Sequence, residues 1–228
     1  MNYFAHGCEC LDNPYFLAGT AVPDWLSVVD RRVRVRPRSA ELFVADPDPR
    51  VSSIACGIGQ HHSDDAWFHE TPAFAELSLE FCLRLRDLLA PDDGFRPHFV
   101  GHILVEMLLD AALIAHRPQR LDQYYAALST LDPRVVQVAV NRMATCETDR
   151  LEPFVPLFVQ ERFLWDYADD ARLLRRLNQV MRRVNLPQLP ERTTRFLASA
   201  REIVSRRISD LIPAAANTAV SQSLETRR

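Results

Sequence analysis

At 228 residues, with 47% hydrophobic and 25% charged side chains, the chain has a globular composition and enough length to bury a sizeable core. Its formal charge of −3 disfavours a general nucleic-acid binder, which carries a strongly basic balance or stripe. Every one of the 27 basic residues is arginine, which excludes a lysine Schiff base and a lysine-bearing phosphate loop. Five cysteines without a C-x-x-C pair read as neither a disulfide framework nor a zinc knuckle. Neither a signal peptide nor a membrane span is expected from the pattern, which points to a reducing cytoplasm.

Glycine is scarce (6) and proline plentiful (15), and the prolines fall between segments of helical period. This predicts an all-α protein, a single compact bundle of about 9–11 helices over residues 1–212. A short helix opens the chain at Asn2–Leu11, and Asn13-Pro14 has the order of an N-cap and first-turn proline. Pro23 is expected to end that helix, with a new one starting at Asp24. Arg31, Arg32, Arg34, Arg36 and Arg38 then form a run that reads as a solvated loop or helix end, or else as an anion contact. A short helix follows at Ser39–Ala45, and another runs from about Val51 through His61.

Thr71-Pro72 opens an amphipathic helix to Leu89, whose Phe74, Leu77, Phe81, Leu85 and Leu88 recur at helical steps. Pro91–Gly94 reads as a turn, and Phe95–His116 as the most apolar and most central helix. Further helices are expected at 119–130, 134–147, 151–167, 169–184 and 188–211, before an Ala/Ser/Thr-rich tail, 213–228, that lacks an apolar period. Residues 1–116 are the candidate site half, and 117–212 the supporting helices.

All seven histidines lie at or before His116. His98, His102, Glu106 and Asp110 are four apart, so on a helix they make one slowly drifting polar stripe. On so apolar a helix, such a stripe is either a metal or catalytic edge or a buried hydrogen-bonded network. The run Gly57-Ile58-Gly59-Gln60-His61-His62-Ser63-Asp64-Asp65 is denser, and its two glycines permit close approach of a helix or ligand. Imidazole and carboxylate together are the donor set of Zn, Mn and Fe sites. Neither a Gly-rich phosphate loop, a G-x-S-x-G elbow nor an H-E-x-x-H motif occurs.

The opening Met1-Asn2-Tyr3-Phe4-Ala5-His6 resembles the M-N-[FY]-[LF]-A-H start of bacterial acyl carrier protein phosphodiesterases. Gly19 to Asp24 is similar to their Gly-x-x-x-x-Asp segment, and Gly57, Ile58, His61, Asp65 and Pro72 match their next block in order and spacing. The likeness covers residues 1–116. It implies an α-helical, HD-domain-like fold and a divalent metal such as Mn or Mg. It further implies removal of phosphopantetheine from a carrier protein, with Asp24 as the key acid and His6, His61 and Asp65 near the metal.

The reading that joins these features is a metal-dependent hydrolase of a phosphodiester, with water activated by Mn, Mg, Fe or Zn attacking phosphorus. Its metal ligands are His6, Asp24, His61, His62, Asp65 and Asp110, and its catalytic groups Asp24, His102 and Glu106. Arg31 or Arg32 would clamp a phosphate. The partner is acyl carrier protein or a small phosphoester, and the oligomeric state is left open. Two other readings stand beside it: a non-catalytic helical scaffold that binds a partner, and a zinc-dependent enzyme of the phospholipase C type.

Overall fold

The computed structural model describes residues 1–89 and 94–212. The expected turn at Pro91–Gly94, Gly94 apart, and the tail 213–228 lie outside the described residues. The chain is all-α, 75% helical and without strands among the described residues. Its α-helices are α1 (Tyr3–Gly7), α2 (Pro14–Val29), α3 (Pro37–Glu41), α4 (Pro49–His69), α5 (Pro72–Leu88) and α6 (Pro97–His116). They continue with α7 (Pro118–Leu128), α8 (Pro133–Met143), α9 (Leu151–Glu161), α10 (Asp170–Arg183), α11 (Thr193–Arg206) and α12 (Ile208–Leu211). A 3-10 helix, Phe163–Ala168, follows α9.

Proline sets most of the starts, because its missing N–H costs nothing in a first turn. Asn13, Thr71 and Asp132 complete three of these starts by accepting a backbone N–H from Phe16, Phe74 and Arg134. The break expected at Pro23 does not occur, and α2 runs through it. Ala21, Val22, Trp25 and Leu26 on both sides of the proline are buried, so packing holds the helix where local propensity would end it. Elsewhere the chain breaks where none was expected. Arg162 adopts φ 45° and separates α9 from the 3-10 helix, and the expected final helix is divided at Arg207 into α11 and α12.

The described residues form two compact units, each built from both halves of the sequence. The first comprises residues 1–65 and 113–166. Its core is aromatic: Trp25 packs on Phe158 at 5.3 Å and Phe154 at 6.4 Å between centroids, and Tyr3 lies 5.2 Å from Phe158. Phe163 and Tyr125 complete the shell around Phe158. Tilted and edge-on contacts of this kind add to the area they bury. They anchor α1, which carries His6.

Within this unit α2 and α4 touch backbone to backbone. A Cβ built on Gly57 would lie 2.1 Å from Phe16 O, and one on Gly19 would lie 2.3 Å from Ile54 O. The two glycine positions face each other, and only hydrogen fits between them. Gly59 has nothing within 4 Å of its Cβ position.

The second unit comprises the described residues of 66–112 and 167–212. The buried face of α5 presents Leu77, Phe81 and Leu85, and Phe81 meets Phe196 of α11 edge-on at 5.6 Å. Leu173, Leu177 and Met181 of α10 and Leu197, Ala200 and Val204 of α11 are buried. The Arg201 guanidinium closes this pair of helices on Asp170 at 2.7 and 2.9 Å. As a single element, α6 is long and apolar enough to cross a membrane, but 61% of that stretch is buried inside the fold, as in a core helix.

The helix crossing makes opposite demands at two neighbouring glycines. Gly57→Ala is expected to lower the unfolding free energy by about 1–3 kcal/mol through overpacking. Gly59→Ala is expected to raise it by about 0.5–1 kcal/mol through helix propensity. Denaturant titration of the two variants checks the sign of each.

Candidate metal centre

The α2–α4 contact fixes the register of the polar run on α4. One turn beyond Gly57, buried His61 donates its Nδ1–H to the Thr20 carbonyl at 2.8 Å. A carbonyl only accepts, so the proton is on Nδ1 and Nε2 is directed elsewhere. It faces Asp65 Oδ2 at 3.4 Å. His6, from α1, stacks on His61 with centroids 4.1 Å apart and rings inclined by 27°. Its Nδ1–H donates to Asp64 Oδ2 at 3.1 Å, and Gln60 Nε2 holds the other Asp64 oxygen at 2.6 Å. His6 Nε2 is buried without a well-formed hydrogen bond and lies 3.3 Å from Asp65 Oδ1. The Met1 α-amino group donates to the same Asp65 oxygen at 2.5 Å.

Two imidazoles thus have one nitrogen tied to an oxygen acceptor and the other turned toward a single carboxylate. Tying the outer nitrogen is how a metal-binding histidine is held in orientation and tautomer. The facing atoms of His6, His61 and Asp65 all lie within 4.8 Å of one another, so the three residues are able to hold a metal ion. The donor set of two imidazoles and one carboxylate suits a first-row divalent ion.

The electrostatics follow from the same contacts. Burial alone would push the His6 imidazolium down, but its hydrogen bond to Asp64 and its charge pairing with Asp65 outweigh burial and raise it to about 9. For Asp65, burial works upward, while the two imidazoles and the α-amino group hold the carboxyl far below its usual range. Without a metal, the His6 proton supplies the positive charge that this carboxylate pocket demands.

A second group of ligands belongs to the other unit. His69 Nε2 lies 3.0 Å and His102 Nε2 3.3 Å from Glu106 Oε1, so two rings share one carboxylate oxygen. The rings are 4.8 Å apart, and Phe74 packs on each of them at 4.8 Å. Burial would raise the Glu106 carboxyl, yet it stays below the usual carboxylate range with both imidazoles beside it. His69, His102 and Glu106 also meet the distance requirement for a shared ion.

The structure therefore brings together His6, His61 and Asp65 from the expected ligands, and His102 with Glu106 from the expected catalytic groups. The other candidates are members of neither group, although the His62 ring meets His61 edge-on at 5.5 Å. His62 is half-buried and donates Nε2–H to the Val35 carbonyl at 3.0 Å; burial lowers its pKa. Asp110 is completely buried on α6, whereas His98, at the other end of the same stripe, is exposed. Asp24 sits half-buried in mid-α2, not at a helix start. Arg32 clamps Asp30 through Nε and Nη2, both at 3.1 Å, and Arg31 is exposed.

Sequence reasoning assigned no role to His69 or to Asp64 as the group that orients His6. His69 continues the four-residue spacing of His61 and Asp65, which was a usable signal. Asp64 was visible only as one of several acids, because its role depends on α1 packing beside α4. No family model, curated protein or solved structure matches the chain.

The raised His6 pKa has a defined consequence for the metal-free protein. Its stabilising contribution is complete below the unfolded value of 6.5 and is lost as pH rises through about 9. The unfolding free energy of chelator-treated protein is expected to fall across that window, by at most about 1.4 kcal/mol per pH unit. Urea titrations at several pH values check the slope, which His6→Gln is expected to remove.

Proposed function

We propose that this chain is a metal-dependent hydrolase of a phosphodiester, with His6, His61 and Asp65 as its metal ligands. The observation that carries the reading is the convergence of two oriented imidazoles on one carboxylate, with the buried His6 Nε2 turned to it and not engaged in a well-formed hydrogen bond. A bound divalent ion would lower the pKa of a water to near neutrality and draw charge from a phosphoryl oxygen. Asp64 and the Thr20 carbonyl keep the two rings in the tautomer that leaves Nε2 as donor. Glu106, ionised at neutral pH, suits the role of ligand or base and not that of a general acid. Zn, Mn and Fe fit the nitrogen-rich donor set better than Mg, which prefers oxygen.

The resemblance to acyl carrier protein phosphodiesterases names a phosphopantetheinyl protein as substrate, and the all-α architecture accords with it. A second reading has one specific support. The His69, His102 and Glu106 group offers ligands for a further ion, as the multi-zinc phospholipase C type would require. The two readings differ in metal count and in substrate, one a carrier protein and the other a phospholipid.

Mass-spectrometric metal analysis of protein purified without a metal-affinity tag, paired with hydrolysis of bis(4-nitrophenyl) phosphate, tests the proposal. Near-stoichiometric Zn, Mn or Fe is expected, with metal and activity both lost in His61→Ala/Asp65→Ala. Asp24→Ala is expected to cut kcat/KM by about 100-fold or more if Asp24 has the acid role that the resemblance gives it. Protein that is empty and takes up neither Zn nor Mn would contradict the proposal and leave a helical scaffold.

A further inference from the structure

The arginine run is ordered in a way that its composition alone does not reveal. After a turn at residues 31–32, closed by Val33 N–H on Asp30 O at 3.0 Å, Val33 and Val35 are buried while Arg34 and Arg36 are exposed. This is the alternation of an extended segment lying on a core, with every second side chain outward. Thr145 N–H donates to Arg34 O at 3.0 Å, and His62 holds Val35 O, so the row has a fixed backbone. Arg38 extends the exposed row.

The acids near this row mostly have their own arginine. Asp30 takes Arg32, Asp46 takes Arg142 at 2.6 Å, and Asp48 takes Arg50 at 2.7 Å. The Arg34 guanidinium donates to the neutral Val33 carbonyl, and Arg36 and Arg38 form no ion pair among the described residues. Glu41, exposed at the end of α3, is the remaining acid of residues 30–48, and the exposed Glu147 and Asp149 follow Thr145 and Cys146 at the Arg32–Arg34 end, so Arg36 and Arg38, next to Leu42, are the cationic part of the surface.

Immediately after α3 stands Leu42, 82% exposed and the most exposed of the large hydrophobic residues among those described. Its turn is ordered. Phe43 N–H donates to Ala40 O, the Phe43 ring lies under the Arg142 guanidinium at 4.9 Å, and Ser52 Oγ–H donates to Val44 O at 2.6 Å. A single exposed leucine means little alone. A leucine projecting from a fixed turn beside a row of arginines has the chemistry of an interfacial contact, with charge for lipid headgroups and an apolar wedge for the acyl boundary.

We propose that the surface formed by Arg34, Arg36, Arg38 and Leu42 attaches this protein to an anionic phospholipid membrane. The attachment is peripheral and needs no metal, so it is independent of the hydrolase reading. A polyanion such as RNA would use the arginines but would gain nothing from Leu42.

Sedimentation of the full chain with vesicles, in chelator, tests this directly. Binding to phosphatidylserine/phosphatidylcholine (30:70) vesicles and not to pure phosphatidylcholine is expected, with loss in 0.5 M salt. Arg36→Ser/Arg38→Ser is expected to weaken binding by about 25-fold, at about fivefold per arginine. Leu42→Ser is expected to weaken it by roughly tenfold. All three residues are exposed, so unchanged melting curves would confirm folded variants. The proposal is overturned if wild type ignores the anionic vesicles, if Leu42→Ser binds them as wild type does, or if the chain binds single-stranded RNA and no vesicle.

Discussion

Everything in the first ligand group depends on two helices meeting without side chains between them. Gly19 on α2 and Gly57 on α4 let the backbones touch, and that contact puts the Thr20 carbonyl one hydrogen bond from His61 Nδ1. The bond fixes the tautomer, the tautomer directs Nε2, and Nε2 faces Asp65. A packing constraint is thereby converted into the chemistry of one nitrogen lone pair. α1 adds the second imidazole because Tyr3 and Phe4 anchor it in aromatic contacts, which leaves little freedom for His6 beside them.

The charge balance of that group explains why so many ionisable residues tolerate burial. His6, His61 and Asp64 are all buried, which would be costly if any were unpaired. Each has an oriented partner, and the residual negative charge is concentrated on Asp65. The carboxylate is satisfied by a proton on His6, by the α-amino group, or by a cation in their place. Competition between proton and cation for one position is what a pH-dependent metal site requires.

Much of the fold was legible in the sequence because proline and helical period mark helix starts well. Thr71-Pro72 and Asp132-Pro133 behave as their chemistry dictates. Pro23 does not, because the packing of Trp25 and Leu26 outweighs the lost backbone bond, and packing is invisible to a local rule. The candidate site divides in the same way. Pairs on one helix, His61 with Asp65 and His102 with Glu106, follow from four-residue spacing. Partners across helices do not, so His6 entered only through resemblance, and the orienting roles of Thr20 and Asp64 were not anticipated. The stripe from His98 to Asp110 shows the limit of spacing: a drift of about 40° per step carries it from solvent to core.

The central claim is that His61 is held as a metal donor, with its proton on Nδ1 and its Nε2 lone pair presented to the Asp65 side. Long-range 15N–1H NMR of the imidazoles, in chelated protein and after addition of zinc, measures it most directly. The account predicts that neutral His61 carries its proton on Nδ1 and that its Nε2 resonance shifts to a metal-bound position with zinc. A neutral His61 protonated on Nε2, donating to Asp65 and indifferent to zinc, would contradict it.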